Sequence, residues 1–326
     1  MARLALRIVY SLLALVVLSG GILTWGAAEF SRPGPLKAAT TVVIARGAGL
    51  EVIASELTRA GVLADPLVFR LGARLTGADK RLRAGEYAFP ARVSPRQTVA
   101  LLESGKTVVR RLTVVEGLTT AEIVAQLEAT DGLAGALGQL PKEGTLLPET
   151  YHFSFGDARR AIVGRMAEAM RRALGEAWAA RNRESPLETP ESALILASII
   201  EKETAVPQER ARVAGVFINR LRKGMKLQSD PTVVYGLTGG QGPLGRPLTR
   251  ADLRTPSPYN TYLIDGLPPS PISNPGLASI VAALDPARTD ELYFVADGSG
   301  GHVFARTLSE HNRNVARWRK RRHEKK

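Results

Sequence analysis

Two carboxylates separated by a single lysine, Glu201 and Glu203, follow the segment Leu194 to Ile200, which is apolar apart from Ser198. An apolar stretch with no polar face over two turns is the signature of a buried helix. A carboxyl at the end of such a helix loses hydration of its charged form, which favours the neutral form that a general acid needs. At 100° per residue the two side chains point about 200° apart. Only one of them can face a given cleft, and the plainer alternative is that both cap the exposed helix end and pair with Lys202, Arg210 or Arg212.

Other chemistries lack the residues they need. There is no Cys among the 326 residues, which excludes disulfides, thiol catalysis and thiolate metal sites. The four His, at 152, 302, 311 and 323, include no pair at the i,i+4 spacing of a helical metal site, so no metal and no cofactor is expected. No G-x-S-x-G elbow occurs. Gly298, Gly300 and Gly301 lie between two strand-like runs without a following Lys-Ser/Thr, which reads as a hairpin connection and not as a phosphate loop. The formal net charge of +13 would suggest an anionic partner if it were spread over the surface. It is concentrated instead: Arg313 to Lys326 hold eight basic residues and one acidic one, Glu324. With no aromatic interleaving beyond Trp318, this reads as the solvated end of a helix, and nucleic acid is not expected as a partner.

The elements that must position the carboxylates follow from periodicity. Ile8 to Ala28 are 21 residues without a charge. As a helix they would span roughly 31 Å, enough to cross a bilayer core of about 30 Å. Arg3 and Arg7 precede the run and Glu29 follows it, which predicts a cytoplasmic N-terminus and an exported remainder. A cleaved signal peptide is the competing reading, with small residues at Gly20, Gly21 and Gly26 to Ala28. Ser31 to Pro35 reads as a short stiff linker within 31–39.

Two segments then repeat at an offset of 70 residues. Val42-Val43-Ile44, Gly47, Ile53 and Leu57 correspond to Leu112-Val114-Val115, Gly117, Ile123 and Leu127. Each reads as strand, glycine turn and amphipathic helix, and together they predict a small α+β module over 40–130. A larger α+β domain is expected over 131–326. It has helices at 161–180, 191–203, 277–284 and 308–322, a Gly/Pro-dense ordered loop over 238–276, and a hairpin from 292 to 305.

Several segments carry a family resemblance: Leu196-Ala-Ser-Ile-Ile-Glu-Lys-Glu-Thr204, Val213-Ala-Gly-Val-Phe-Ile-Asn-Arg-Leu221, Leu227-Gln-Ser-Asp-Pro-Thr-Val-Val-Tyr235, Ser257-Pro-Tyr-Asn-Thr-Tyr262, Gly266-Leu-Pro-Pro269, Asn274-Pro-Gly276, Glu149-Thr-Tyr151 and Tyr293-Phe-Val-Ala-Asp297. In this order they resemble the YceG-like endolytic murein transglycosylase family. The resemblance implies a LysM-like glycan-binding module at 40–130 and a catalytic domain at 131–326, anchored in the inner membrane through 8–28. It implies an activity that cleaves the MurNAc-GlcNAc bond of nascent peptidoglycan strands and leaves 1,6-anhydro-MurNAc ends, with peptidoglycan synthases as partners. It implies Glu201 as the catalytic residue, being the first Glu of the Glu-Lys-Glu-Thr segment. Gln228, Asp230, Asn260, Tyr262, Glu149, Tyr151 and Glu203 are supporting candidates. Asn and Asp in Pro-rich loops also serve as turn residues. A non-catalytic, membrane-tethered peptidoglycan scaffold is the alternative function.

Overall fold

The computed structural model describes residues 2–324. The chain is a mixed α+β protein that divides into two compact units, residues 1–110 with 152–157 and residues 111–151 with 158–326.

In the first unit, α1 runs from Ala2 to Ser31. It is the one helix among the described residues long and apolar enough to cross a membrane, a property shared by N-terminal signal sequences. The order then is β1 (Thr40–Ile44), α2 (Leu50–Arg59), α3 (Pro66–Leu75), β2 (Gly85–Phe89) and α4 (Pro95–Ser104). Strands β1 and β2 pair antiparallel, with Thr40 opposite Phe89 and Ile44 opposite Gly85. Local chemistry starts the helices. Asp65 accepts from the Leu67 N–H with Pro66 in the first turn, and Ser94 and Gln97 form a reciprocal capping box ahead of α4. Ile53, Ala54 and Leu57 of α2 meet Phe69, Tyr87, Phe89 and Leu102 in one core.

The segment that reads as a short stiff linker is hydrogen-bonded to this unit. The Gly34 N–H donates to the carbonyls of Arg92 and Val93, and Arg92 N–H returns a bond to the Leu36 carbonyl. A Cβ at Gly34 would lie 2.4 Å from the Val93 carbonyl oxygen and 2.9 Å from that of Val62. Both obstacles are backbone and cannot swing aside. Gly34→Ala is therefore expected to cost about 1–3 kcal/mol, read as a lower thermal midpoint; an unchanged midpoint would show that the contact is not tight. Earlier in the same stretch, the Phe30 ring packs on α3 where Gly72 leaves room.

Both halves of the repeat take the expected form. Gly47 and Gly117 have φ of 77° and 79°, a left-handed turn that glycine adopts without strain, and each precedes an amphipathic helix. Their destinations differ. The second half continues from β3 (Val109–Thr113) into α5 (Thr120–Ala129), and its turn is tied within the larger unit: Gly117 N–H donates to the Asn274 carbonyl and Asn274 N–H to that of Leu118. The compact units thus divide at 110/111, about twenty residues before the boundary expected from the repeat.

The larger unit continues through β4 (Leu133–Ala134), β5 (Thr150–Ser154), β6 (Asp157–Ala158), α6 (Arg159–Ala179), α7 (Pro190–Glu203), α8 (Arg210–Arg222), α9 (Asp230–Thr238), α10 (Leu277–Leu284), β7 (Tyr293–Ala296), β8 (His302–Ala305) and α11 (Leu308–Glu324). Thr189 caps α7 with Pro190 in the first turn. Leu196, Ala197, Ile199 and Ile200 have no exposed surface and pack with Phe217 of α8 and Ile280 and Ala283 of α10. The 292–305 hairpin forms, with Tyr293 opposite Ala305 and Ala296 opposite His302. The Gly/Pro-dense stretch before α10 stays non-repetitive apart from a 3-10 turn at Asp252–Arg254, which Arg246 and Thr249 brace through the Asp252 carboxylate.

Candidate active site

The last turn of α7 delivers its two carboxylates to two different environments. Glu201 is held inward: its side chain is 6% exposed. Its Oε2 accepts the Gly276 N–H at 2.9 Å, and its Oε1 faces Nη2 of Arg210 at 3.5 Å. Arg210, 12% exposed, lies at the same distance from Glu116, and its Nε is buried without a partner. Burial and the negative charge of Glu201 push the Glu116 carboxyl up, and Arg210 pulls it down. Lys202 donates to the Gly117 carbonyl at 3.1 Å. Both polar contacts of Glu201 are donors, one to each oxygen, so it fastens the Gly276 loop to the end of α7.

Glu203 lies on the other side of the helix. It is partly buried, and Ser229 Oγ donates to its Oε1 at 2.5 Å. Its Oε2 has no hydrogen-bond partner among the described residues. Burial raises the carboxyl to about 7; the nearby charge of Asp230 adds to this, while the Ser229 bond and the positive charges of His302 and Arg220 oppose it. A carboxyl with this balance supplies both protonation states near neutral pH, the requirement for one group to act as acid and then as base.

Three of the candidates read from sequence gather around Glu203. Asp230 opens α9 and accepts from the Tyr262 hydroxyl at 2.6 Å. The Tyr262 phenol is pushed up by burial and by that carboxylate. Gln228 has φ of 51°, an uncommon backbone state for a residue with a side chain, fixed by its N–H bond to the Thr261 carbonyl. The next residue, Ser229, then bonds Thr261 Oγ1 through its own N–H and turns its hydroxyl to Glu203.

The remaining candidates are elsewhere. Asn260 is 1% exposed and uses its amide on the Leu253 and Thr255 carbonyls and the Tyr262 N–H; it is the turn residue of the Pro-rich loop, with no atom left for a ligand. Tyr151 is buried with its hydroxyl on the Leu147 carbonyl, and burial together with Glu149 pushes it up to about 12. Glu149 is exposed. Neither joins the Glu203 cluster.

Sequence reasoning did not single out Ser229, Arg220, His302 or Glu209. Arg220 is 8% exposed and donates to the Leu227, Lys226 and Leu292 carbonyls and to Gln228 Oε1, which holds the strained loop in place. Its signal was a basic residue in the run Val213 to Leu221, where Asn219 is the one other polar residue. Among the described residues no group of three or more His, Asp or Glu is placed to hold a metal ion.

Comparison with known proteins gives this arrangement a family. The model of the YceG-like family matches residues 42–317. An endolytic murein transglycosylase of Bacillus subtilis is 30% identical over 308 residues, covering 85% of this chain and 84% of that protein. Endolytic murein transglycosylases of two Streptococcus pneumoniae strains are 29% identical over 324 residues, and the matched region is 58% of their length. The crystal structure of a YceG-like protein of Listeria monocytogenes superposes with a TM-score of 0.50 at 31% identity, covering 85% of this chain and 99% of that one. A family match from the first unit through the carboxylates of α7 to the final helix means that the chain belongs to the YceG-like family.

Proposed function

We propose that this chain is a peptidoglycan lytic transglycosylase in which Glu203 serves as both general acid and general base. The observation that carries this reading is the Glu203 carboxyl itself. It is raised to about 7, is held by Ser229 through one oxygen only, and stands beside the Asp230–Tyr262 pair. The activity is that named for the Bacillus and Streptococcus relatives. Glu201, the residue implied by resemblance, is assigned a positioning role because both of its oxygens are engaged.

The chemistry needs one carboxyl. Neutral Glu203 gives its proton to the glycosidic oxygen as the bond from C1 breaks and positive charge develops on the sugar ring. The C6 hydroxyl of the same muramyl residue attacks C1, and its proton passes to the ionised Glu203. The glutamic acid is restored and a 1,6-anhydro sugar is left. No water enters and no second carboxylate is required. Asp230 and Tyr262 supply polar contacts beside the reacting bond, with Gln228 at the rim. Digestion of uncrosslinked glycan strands followed by mass analysis tests the reaction. Anhydro ends are expected, whereas reducing muramic acid ends would identify a hydrolase and intact strands a binding scaffold.

The pH dependence follows from the same group. The first step needs the neutral acid, so turnover is expected to fall as pH rises through about 7. Asp230→Asn removes a charge that raises the carboxyl, and its alkaline limb should move down by up to about one unit. A limb that stays in place, measured from kcat/KM against pH, would detach Asp230 from Glu203.

The anchor and the first unit complete the reading. Helix α1, with Arg3 and Arg7 ahead of its apolar run, is assigned as an inner-membrane anchor that leaves the N-terminus cytoplasmic and the two units on the far side. The strand–helix–helix–strand unit is assigned as the LysM-like module that binds glycan, and peptidoglycan synthases are the expected partners. The substrate is a nascent strand cut internally.

A further inference from the structure

We propose that α3 is an interfacial helix whose exposed leucine stripe, Leu67, Leu71 and Leu75, lies in the headgroup–acyl boundary of the bilayer that α1 crosses. The inference rests on the reading of α1 as a membrane anchor.

Helix α3 is apolar on two faces. Phe69 and Ala73 have no exposed surface and pack into the core of the first unit. On another face Leu75 is 79% exposed, and Leu67 and Leu71 are nearly half exposed. At 100° per residue these three fall within an arc of about 80° and along about 12 Å of helix. Leu36, Leu57, Leu63 and Leu102 of the same unit are buried, so the stripe stands apart from its other leucines. A helix on the surface of a soluble unit needs one apolar face, and α3 carries a second with nothing on it.

What covers the stripe follows from its neighbour. Gly72 lies about 100° round the helix from the centre of the stripe, and the Phe30 ring of α1 fills the space that a Cβ there would take. Phe30 is two residues, or about 3 Å of helix rise, past the uncharged run Ile8 to Ala28. Leu6 to Trp25 are exposed, whereas Gly26, Glu29 and Phe30 are partly covered, so α1 meets the unit at its last turns. Trp25 falls where aromatic side chains mark the membrane–water boundary. The stripe therefore stands at the level where α1 passes from hydrocarbon to water. An amphipathic helix at that level buries its apolar face about 5–10 Å deep.

The charges suit the same occupant. Arg70 and Arg74 follow the stripe on its other side and contact Glu51. Their long stems can cover apolar surface while the guanidiniums stay among headgroups. Arg92 and Arg96 line one hollow with Ser31 and Pro33 at the end of α1. Exposed cations beside an apolar stripe match an anionic lipid surface.

The test uses the full-length chain, which has no Cys, in vesicles of phosphatidylethanolamine and phosphatidylglycerol. Leu71→Cys and, separately, Leu67→Cys carry an environment-sensitive fluorophore on the stripe; Leu18→Cys carries it inside the apolar run. Lipids with a nitroxide near the headgroup or deep in the acyl chain serve as quenchers. The labels at 67 and 71 are expected to shift to the blue and to be quenched more by the shallow nitroxide, and the label at 18 more by the deep one. Leu67→Gln combined with Leu75→Gln should release the label at 71 to water and abolish its quenching. Quenching that survives this double substitution would overturn the proposal, since closeness to α1 would then account for it. A blue-shifted label at 71 that neither nitroxide reaches would also overturn it and give the stripe to a second copy of the chain or to another protein. A label at 18 that the deep nitroxide leaves bright would remove the anchor reading and this inference with it. Deep quenching at 18 with water-exposed labels at 67 and 71 would overturn this inference alone.

Discussion

Glu203→Gln is expected to lose at least about 10²- to 10⁴-fold in the formation of anhydro ends while keeping its fold. The amide keeps the size of the side chain and can still accept from Ser229. It cannot give a proton to the glycosidic oxygen or take one from the C6 hydroxyl. Because one group does both jobs, no neighbouring acid compensates, so the loss should lie at the upper end of the range. Removing a partly buried carboxyl that is raised to about 7 also relieves its ionisation in the folded state at neutral pH, so the thermal midpoint should hold or rise. Activity within tenfold of the unmodified chain would remove Glu203 from the mechanism.

Glu201→Gln should show the reverse pattern. The amide still accepts from the Gly276 N–H, but Arg210, 12% exposed and with its Nε already unpartnered, keeps only the contact with Glu116. Breaking a buried pair from one side is costly because the remaining charge stays desolvated. With a 3.5 Å separation and one retained hydrogen bond, about 2 kcal/mol is the expected loss, or roughly 4–8 °C in the midpoint of a unit of this size. Turnover by the folded fraction should fall far less than in Glu203→Gln. A folded, fully stable and inactive Glu201→Gln would return the catalytic role to the residue implied by resemblance.

These variants address the point at which sequence reading stopped. The buried helix was legible because Leu194 to Ile200 are apolar and Thr189-Pro190 open the helix by local rules. The opposed directions of Glu201 and Glu203 were legible from helical geometry. Which of them meets the polar cluster was not, because Ser229 arrives 26 residues later on a loop whose course depends on the left-handed Gln228 and on Arg220. The His302–Glu209 tie spans 93 residues and leaves no pattern of spacing. The repeat carries no information about the contacts of its second half for the same reason. Strand, turn and helix are local features, whereas the partner that claims the second copy is Asn274, more than 150 residues along the chain.

The attachment of the first unit to α1 also bears on how far that unit can move from the helix. Phe30 seated against α3 and the Gly34 bonds to Arg92 and Val93 leave no slack between the apolar helix and the unit that follows it. With α1 across a bilayer, that unit works as a fixed-height gauge. A floppy tether would let the unit sample a range of distances from the bilayer, whereas under the anchor proposed above this attachment would hold it at one distance. On the proposed reading, the choice of strand would then be set by altitude and not by a chemical mark on the substrate.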